Sequence, residues 1–201
     1  MRIFVFADNP FGANCYFLQE SDLATVIDPT VPPEVVRAVL GTLPKVGAIL
    51  LTHGHEDHLL ALDAWRKETG APVCIHRMDG PYLTQPALNC SRWLVGEEWV
   101  HPAADVLLED GDTTPGAVPM RVLSTPGHTP GSCCFLAPEA LFTGDTLFDG
   151  GYGRTDLPGG QGDALRQSLR GLYQLDSALR FYPGHGSGAT LREETWLLSQ
   201  M

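Results

Sequence analysis

Residues 52–58 read Thr-His-Gly-His-Glu-Asp-His, placing three histidines and two carboxylates in seven consecutive positions of a chain with seven histidines in all. Neutral imidazoles and carboxylates are the ligands a borderline divalent ion takes, at about 2.0–2.2 Å. His53 and His55 stand two apart, and alternate side chains of an extended segment share a side, so both can reach one ion. Asp57 and His58 fall where the loop should turn into the next helix, displaced enough to serve a second ion. Further on come His128 in Ser-Thr-Pro-Gly-His, Asp145 in Phe-Thr-Gly-Asp and His185 in Tyr-Pro-Gly-His. A lone loop histidine is ordinarily a surface residue. Five of the seven histidines, however, occur in one context, close behind an apolar run and framed by glycine or proline, while His76 and His101 do not. Such a cluster of histidines and carboxylates is the signature of a metal or catalytic site.

Apolar runs must supply the platform for these residues. Val46–Leu51 is nearly unbroken, as expected of a strand buried on both faces, and it leads into the cluster. Ile3–Phe6, Asn14–Gln19 and Leu23–Ile27 are rich in β-branched and aromatic residues and are separated by turn sequences. Val73–His76, Val106–Leu108, Met120–Ser124, Ser132–Leu136, Ala140–Phe142 and Arg180–Tyr182 complete the expected strands. Helices are expected from Pro32 and Pro33, which open the first, through Leu43, with Val35, Val36, Val39 and Leu40 on one stripe, over Leu59–Thr69, and over Asp163–Leu175. Thr190–Glu193 carries the capping-box pattern that starts a last helix. Residues 77–103 show no clear period and are expected to be loops and short helical pieces, and 149–162 is a glycine-dense loop. Ligand candidates at the ends of successive strands would gather at one edge of a sheet structure.

Length and composition narrow the class. The 201 residues suit a single domain, 1–201, and no composition break divides it. A formal charge of −11 and a pI near 4.9, with Lys45 and Lys67 the only lysines, argue against a nucleic-acid partner. No apolar stretch approaches the roughly 18 residues of a membrane span, and Asp8 and Pro10 come too early for a signal peptide's apolar region. The five cysteines include no C-x-x-C pair and suggest small buried hydrophobes in a reducing cytoplasm.

The series His53-x-His55-x-Asp57-His58, His128, Asp145, His185 resembles the full ligand set of the metallo-β-lactamase-fold hydrolases, and the likeness runs from Asp28 to the end of the chain. The resemblance implies an αββα sandwich: two mixed β-sheets packed face to face, helices outside, and a dinuclear zinc site at one edge. By the family pattern His53, His55 and His128 hold one ion, Asp57, His58 and His185 hold the other, and Asp145 bridges both together with a hydroxide. Iron or manganese in one or both positions is the alternative loading.

Within the family the chain is most similar to the short bacterial glyoxalase II-like branch. Gly-Tyr-Gly-Arg-Thr-Asp-Leu-Pro-Gly-Gly at 151–160, Tyr-Pro-Gly-His-Gly-Ser-Gly-Ala-Thr-Leu at 182–191 and Pro-Ala-Leu-Asn-Cys-Ser at 86–91 carry this narrower likeness. The chain ends soon after His185, so the helical domain that supplies part of the glutathione site in full-length glyoxalase II is expected to be absent. Thr30 and Ala61 stand where the family usually has glycine.

The implied activity is hydrolysis of a small-molecule S-acyl thioester such as S-lactoylglutathione. Ions that lower the pKa of a water supply hydroxide at neutral pH, and a thiolate leaves with little protonation because a thiol's pKa is near 8.5. Asp57 and Asp145 are the catalytic candidates, with Asp57 orienting the nucleophile or accepting its proton. Asp28 either supports the ligand loop or is a strand-end turn residue. Arg154 either binds a substrate carboxylate or makes a structural ion pair with Asp156 or another acid. Tyr152 lines the pocket or packs in the loop. Rival readings are a mononuclear iron persulfide dioxygenase using His53, His128 and Asp145, a lactone or phosphodiester hydrolase on the same metals, and a silent fold member used for binding.

Overall fold

Side chains of a strand alternate between its two faces, and the central strands here bury both. In the run ahead of the histidine cluster, Ile49 and Leu51 point into one apolar layer, while Ala48 and Leu50 point into another. The computed structural model describes residues 1–194. Its first sheet is built from β1 (Arg2–Phe6), β2 (Cys15–Glu20), β3 (Leu23–Ile27), β4 (Lys45–Leu51), β5 (Val73–His76) and β6 (Val106–Leu108), in that order across the sheet. β1, β2 and β3 pair antiparallel, whereas β3 through β6 pair parallel. The parallel steps require crossovers. Two of these carry helices α1 (Pro33–Leu40) and α2 (Leu62–Thr69), and residues 77–94 carry a 3-10 segment followed by α3 (Pro86–Asn89) and α4 (Ser91–Leu94).

The second sheet comprises β7 (Arg121–Ser124), β8 (Cys133–Ala137), β9 (Ala140–Gly144) and β10 (Arg180–Pro183), in the order β10-β9-β8-β7. Its β9–β10 pair is parallel and the other two are antiparallel. The connection between β9 and β10 carries α5 (Gly162–Leu172). Three apolar layers follow. Phe17, Ile49, Leu51, Leu62 and Trp65 pack α1 and α2 on the first sheet. Leu18, Leu50, Val122, Phe135 and Phe142 fill the space between the sheets. Leu141, Leu165, Leu169, Leu172 and Phe181 pack α5 on the outer face of the second. This is the expected αββα sandwich of two mixed sheets. Adjacent Cys133 and Cys134 face different layers, and all five cysteines are buried and free.

Most boundaries move by one to three residues. α1 stops at Leu40 because Gly41, at φ 80°, turns the chain, and Val39 is left 64% exposed, off the buried stripe. Leu59 is buried but precedes α2, capping a 3-10 turn over Glu56–His58. α5 ends at Leu172, and Leu175 packs against the same layer from the following turn. At Thr190 one of the two capping-box bonds forms, from its N–H to the Glu193 carboxylate at 2.7 Å, while its hydroxyl donates to the same carboxylate at 2.8 Å instead of accepting from the Glu193 N–H. Leu191–Glu194 makes a turn, and the continuation of that expected helix lies outside the described residues.

Candidate metal centre

Strand ends from both sheets converge on one edge. β4 delivers His53, His55, Asp57 and His58; β7, β9 and β10 deliver His128, Asp145 and His185. Ligand atoms of His53, His55 and His128 lie within 4.8 Å of one another, as do those of Asp57, His58 and His185, and those of His53, His58 and Asp145. Asp145 spans the two halves, with Oδ1 3.2 Å from His58 Nε2 and Oδ2 3.5 Å from His128 Nε2 and 3.7 Å from His185 Nε2. All seven residues are therefore brought together.

Neighbouring groups decide which ring nitrogens face inward. Thr52 Oγ donates to Asp28 Oδ2 at 2.6 Å, so its single hydrogen is spent and His53 Nδ1, 3.1 Å away, must donate to it. His58 Nδ1 donates to the same carboxylate oxygen at 2.9 Å, and His128 Nδ1 donates to the Arg154 carbonyl at 2.7 Å. In each ring the opposite nitrogen faces the centre, as a lone pair in His53 and His128 and, in His58, as a position an ion would take in place of a proton; outer partners orient metal-binding histidines in this way. Asp28 holds this position at φ 49°, a left-handed conformation that aspartate tolerates better than most residues. Its carboxylate also accepts the Thr52 amide at 2.8 Å, tying the end of β3 to the end of β4.

The electrostatics fit a cation. Burial, reinforced by neighbouring histidines, holds His53 well below the ordinary histidine range and His55 down to about 3, so both are neutral donors. Burial also works against charge on His58, yet Asp145, Asp28 and Asp57 together raise it well above the usual value. His185 is raised as well, against its burial, by Asp57 and Asp145. The carboxylates that would hold protons on those two rings would equally hold a positive ion. His53 Nε2 and Asp145 Oδ1 are buried without a hydrogen-bond partner. Lone pairs converging in a buried pocket without donors are what a divalent ion satisfies.

The centre opens into a cavity of about 340 Å³ lined by Asp57, His128, Asp145 and His185 together with Trp93, Leu94, Phe148 and Leu157. Phe148 stands edge-on to His185 with ring centroids 6.0 Å apart. Tyr152, expected either to line the pocket or to pack in the loop, is 48% exposed and is not part of this lining. The Phe148–Gly151 reversal turns Phe148 inward instead. Arg154 borders the cavity, but its guanidinium is bidentate to Asp156 at 2.6 and 2.7 Å and lies 5.3 Å from the Trp93 ring centroid. Of the two roles expected for Arg154, this geometry is the ion pair.

Two supports were not anticipated. Asp79, fully buried, accepts from the Gly54 amide at 3.0 Å, from Thr129 Oγ at 2.7 Å and from the Gly131 amide at 2.7 Å. It thereby clamps the loop of His53 and His55 to the loop of His128. His101 Nε2 sits 3.1 and 3.2 Å from the oxygens of buried Glu56, beneath the turn that carries Asp57 and His58. Neither residue lies in an obvious motif, although a Glu inside the histidine cluster was a visible signal for the second pair.

Comparison with known proteins agrees with this geometry. The profile of the Metallo-beta-lactamase superfamily matches residues 8–185. The probable metallo-hydrolase YqgX of Bacillus subtilis (strain 168) is 38% identical over 184 residues, 88% of this chain and 86% of that protein. The hydroxyacylglutathione hydrolase GloC of Haemophilus influenzae is 28% identical over 207 residues, 96% of this chain and 95% of its own. Among solved structures, the BLEG-1 B3 metallo-beta-lactamase superposes with a TM-score of 0.90 at 35% identity, covering 96% of each chain. TTHA1623, solved in a di-iron-bound form, gives 0.83 at 35% identity, again over 96% of each. With the profile spanning most of its length and the strand-end centre in place, this chain belongs to the metallo-beta-lactamase superfamily.

Proposed function

We propose that the chain is a dinuclear metal hydrolase that cleaves small S-acyl thioesters. The observation that carries the two-ion reading is the pair of three-residue ligand sets meeting at Asp145. His53, His55 and His128 would hold one ion, Asp57, His58 and His185 the other, and Asp145 both. Bound ions of this kind supply a hydroxide at neutral pH and polarise a carbonyl. Zinc is the proposed metal, and the di-iron form of TTHA1623 makes iron the loading to test against it.

The chain's own residues favour a thioester. Of the titratable groups lining the cavity, His55, Asp57, His128, Asp145 and His185 are all ligand candidates, and Arg154 is spent on Asp156. Among the described residues, no further acid lines the cavity to protonate a leaving group. An amine or alkoxide would need one, but a thiolate leaves unaided because its conjugate acid has a pKa near 8.5. Asp57 faces the cavity with Oδ2 3.4 Å from His185 Nε2, where it can accept a proton from an attacking water. The 28% identity to GloC and the glyoxalase II-like segments support the same class.

The test is metal analysis without chelator, then assay of a thioester panel beside glutathione persulfide and a β-lactam. About two zinc ions per chain with thioester turnover is the expected result, and Asp145→Ala should lose both ions. One iron per chain with persulfide oxidation and no thioester cleavage would give the protein to the dioxygenase reading. Lactam hydrolysis without thioester cleavage would place it with BLEG-1.

A further inference from the structure

Beside the metal cavity lies a second one of about 430 Å³, and the two share Trp93, Arg154 and Leu157 as a common wall. Pro86, Ala87 and Pro158 extend that wall away from the centre. Trp93 is 64% exposed, an apolar surface left uncovered beside a reactive site. The charged groups at the rim are already paired. Arg154 is bidentate to Asp156, and Arg92 Nη1 is 3.3 Å from Glu98. The chain's formal charge of −11 adds a field that opposes anions. A largely apolar recess whose guanidinium groups are already paired with carboxylates suits an uncharged hydrocarbon better than a carboxylate.

We propose that this annex binds the part of the substrate remote from the scissile bond, and that it selects an uncharged alkyl or aryl arm over a carboxylate-bearing peptide thiol. The proposal rests on the thioesterase reading for its chemistry but not for its binding. The arm can belong to the acyl group or to the thiol, and two substrate series separate these. One varies the acyl chain from acetyl to octanoyl on N-acetylcysteamine; the other varies an alkanethiol from ethyl to octyl under a fixed acetyl group.

In one series kcat/KM of the metal-loaded enzyme should rise about fourfold per added methylene, the equivalent of about 0.8 kcal/mol each. The rise should stop once the annex is filled. Trp93→Ala should flatten that dependence and Trp93→Phe should restore most of it. Independently of turnover, methyl alkyl ketones serve as uncleavable probes. Their affinity for the metal-loaded protein, read by titration calorimetry, should grow with chain length in wild type and in Trp93→Phe but not in Trp93→Ala.

If no thioester is cleaved, the thioesterase reading falls while the ketone titration still judges the annex. Thioester turnover that is flat in both series, with ketone affinity independent of chain length, would overturn the annex and leave the thioesterase standing. S-lactoylglutathione outpacing every neutral long-chain thioester would overturn it equally. So would a chain-length dependence that Trp93→Ala leaves untouched.

Discussion

One carboxylate, Asp28, fixes the orientation of two histidines, reaching His58 directly and His53 through Thr52. Asp79 does comparable work between loops, and it does so under strain. Burial outweighs its three hydrogen bonds and pushes its pKa up to about 6 from 3.8. A carboxyl raised in this way binds its proton more tightly folded than unfolded, so its contribution to stability is full below about pH 4 and is lost as pH rises through 6. The loss amounts to about 3 kcal/mol. In chelator-treated protein, the stability of wild type relative to Asp79→Asn should therefore fall by that order between pH 4 and 7, measured by urea unfolding. A difference that stays constant with pH would mean that Asp79 is ionised throughout. Asp79→Ala strands the Gly54 and Gly131 amides, while the Thr129 hydroxyl can turn to Ser132 Oγ 2.7 Å away, and should cost about 1–3 kcal/mol for each amide left unsatisfied.

Each ligand hangs from the end of a strand, and glycines let those ends crowd together. A methyl group on Gly184 would overlap Asp145 Oδ1 and stand 2.7 Å from His58 Cε1. The segment cannot back away, because the Gly184 amide is bonded to the Gly144 carbonyl at 2.7 Å and its carbonyl to the Asn14 amide at 2.7 Å. Asn14 Nδ2 further holds the Pro183 and Gly186 carbonyls, each at 2.9 Å. Gly184→Ala should therefore cost about 1–3 kcal/mol as overpacking does, with at least one metal lost. Thermal melting and metal analysis of the purified variant check this. A variant with full metal content and wild-type melting would show that the strand ends yield more readily than their hydrogen bonds imply.

Ligands from two sheets make an ion a bridge across the whole molecule. His53, His55, Asp57 and His58 follow the first sheet's β4, whereas His128, Asp145 and His185 follow strands of the second. At that edge the sheets are otherwise joined by the Asp79 clamp, by Asn14, and by backbone bonds such as Cys133 N–H to the Thr52 carbonyl at 2.9 Å. An ion bound only by the folded state stabilises it by about 2.7 kcal/mol at a hundred times its Kd. For a domain of this size that is a rise of roughly 5–10 °C in melting temperature. Stripping metal with a chelator should lower the melting temperature by that order, and adding zinc back should restore it. Melting that ignores both treatments would mean the seven residues hold no ion in solution.

Local pattern was enough to read nearly every strand and to place the seven candidate ligands at one edge of a sheet structure; the αββα layering was implied only by the family resemblance that those residues carry. Hydrophobic period and turn residues act over a few positions, and His53, His55, His128, Asp145 and His185 each follow an apolar strand with a glycine beside them. What the pattern could not hold were pairings between residues far apart in the chain. Asp79 reaches Gly131 across 52 residues, and His101 reaches Glu56 across 45. Arg154 was legible as a charge in a glycine-rich loop, but its commitment to Asp156 over the face of Trp93 depends on how α4 and that loop dock. Phe148 rather than Tyr152 lines the cavity for a similar reason, a chain reversal closed by a Phe148–Gly151 hydrogen bond. A metal site is written locally because its ligands must be of a few types at the ends of rigid strands. The groups that orient those ligands, and the walls that meet a substrate, are chosen by proximity in space, which exists only once the two sheets have closed on each other.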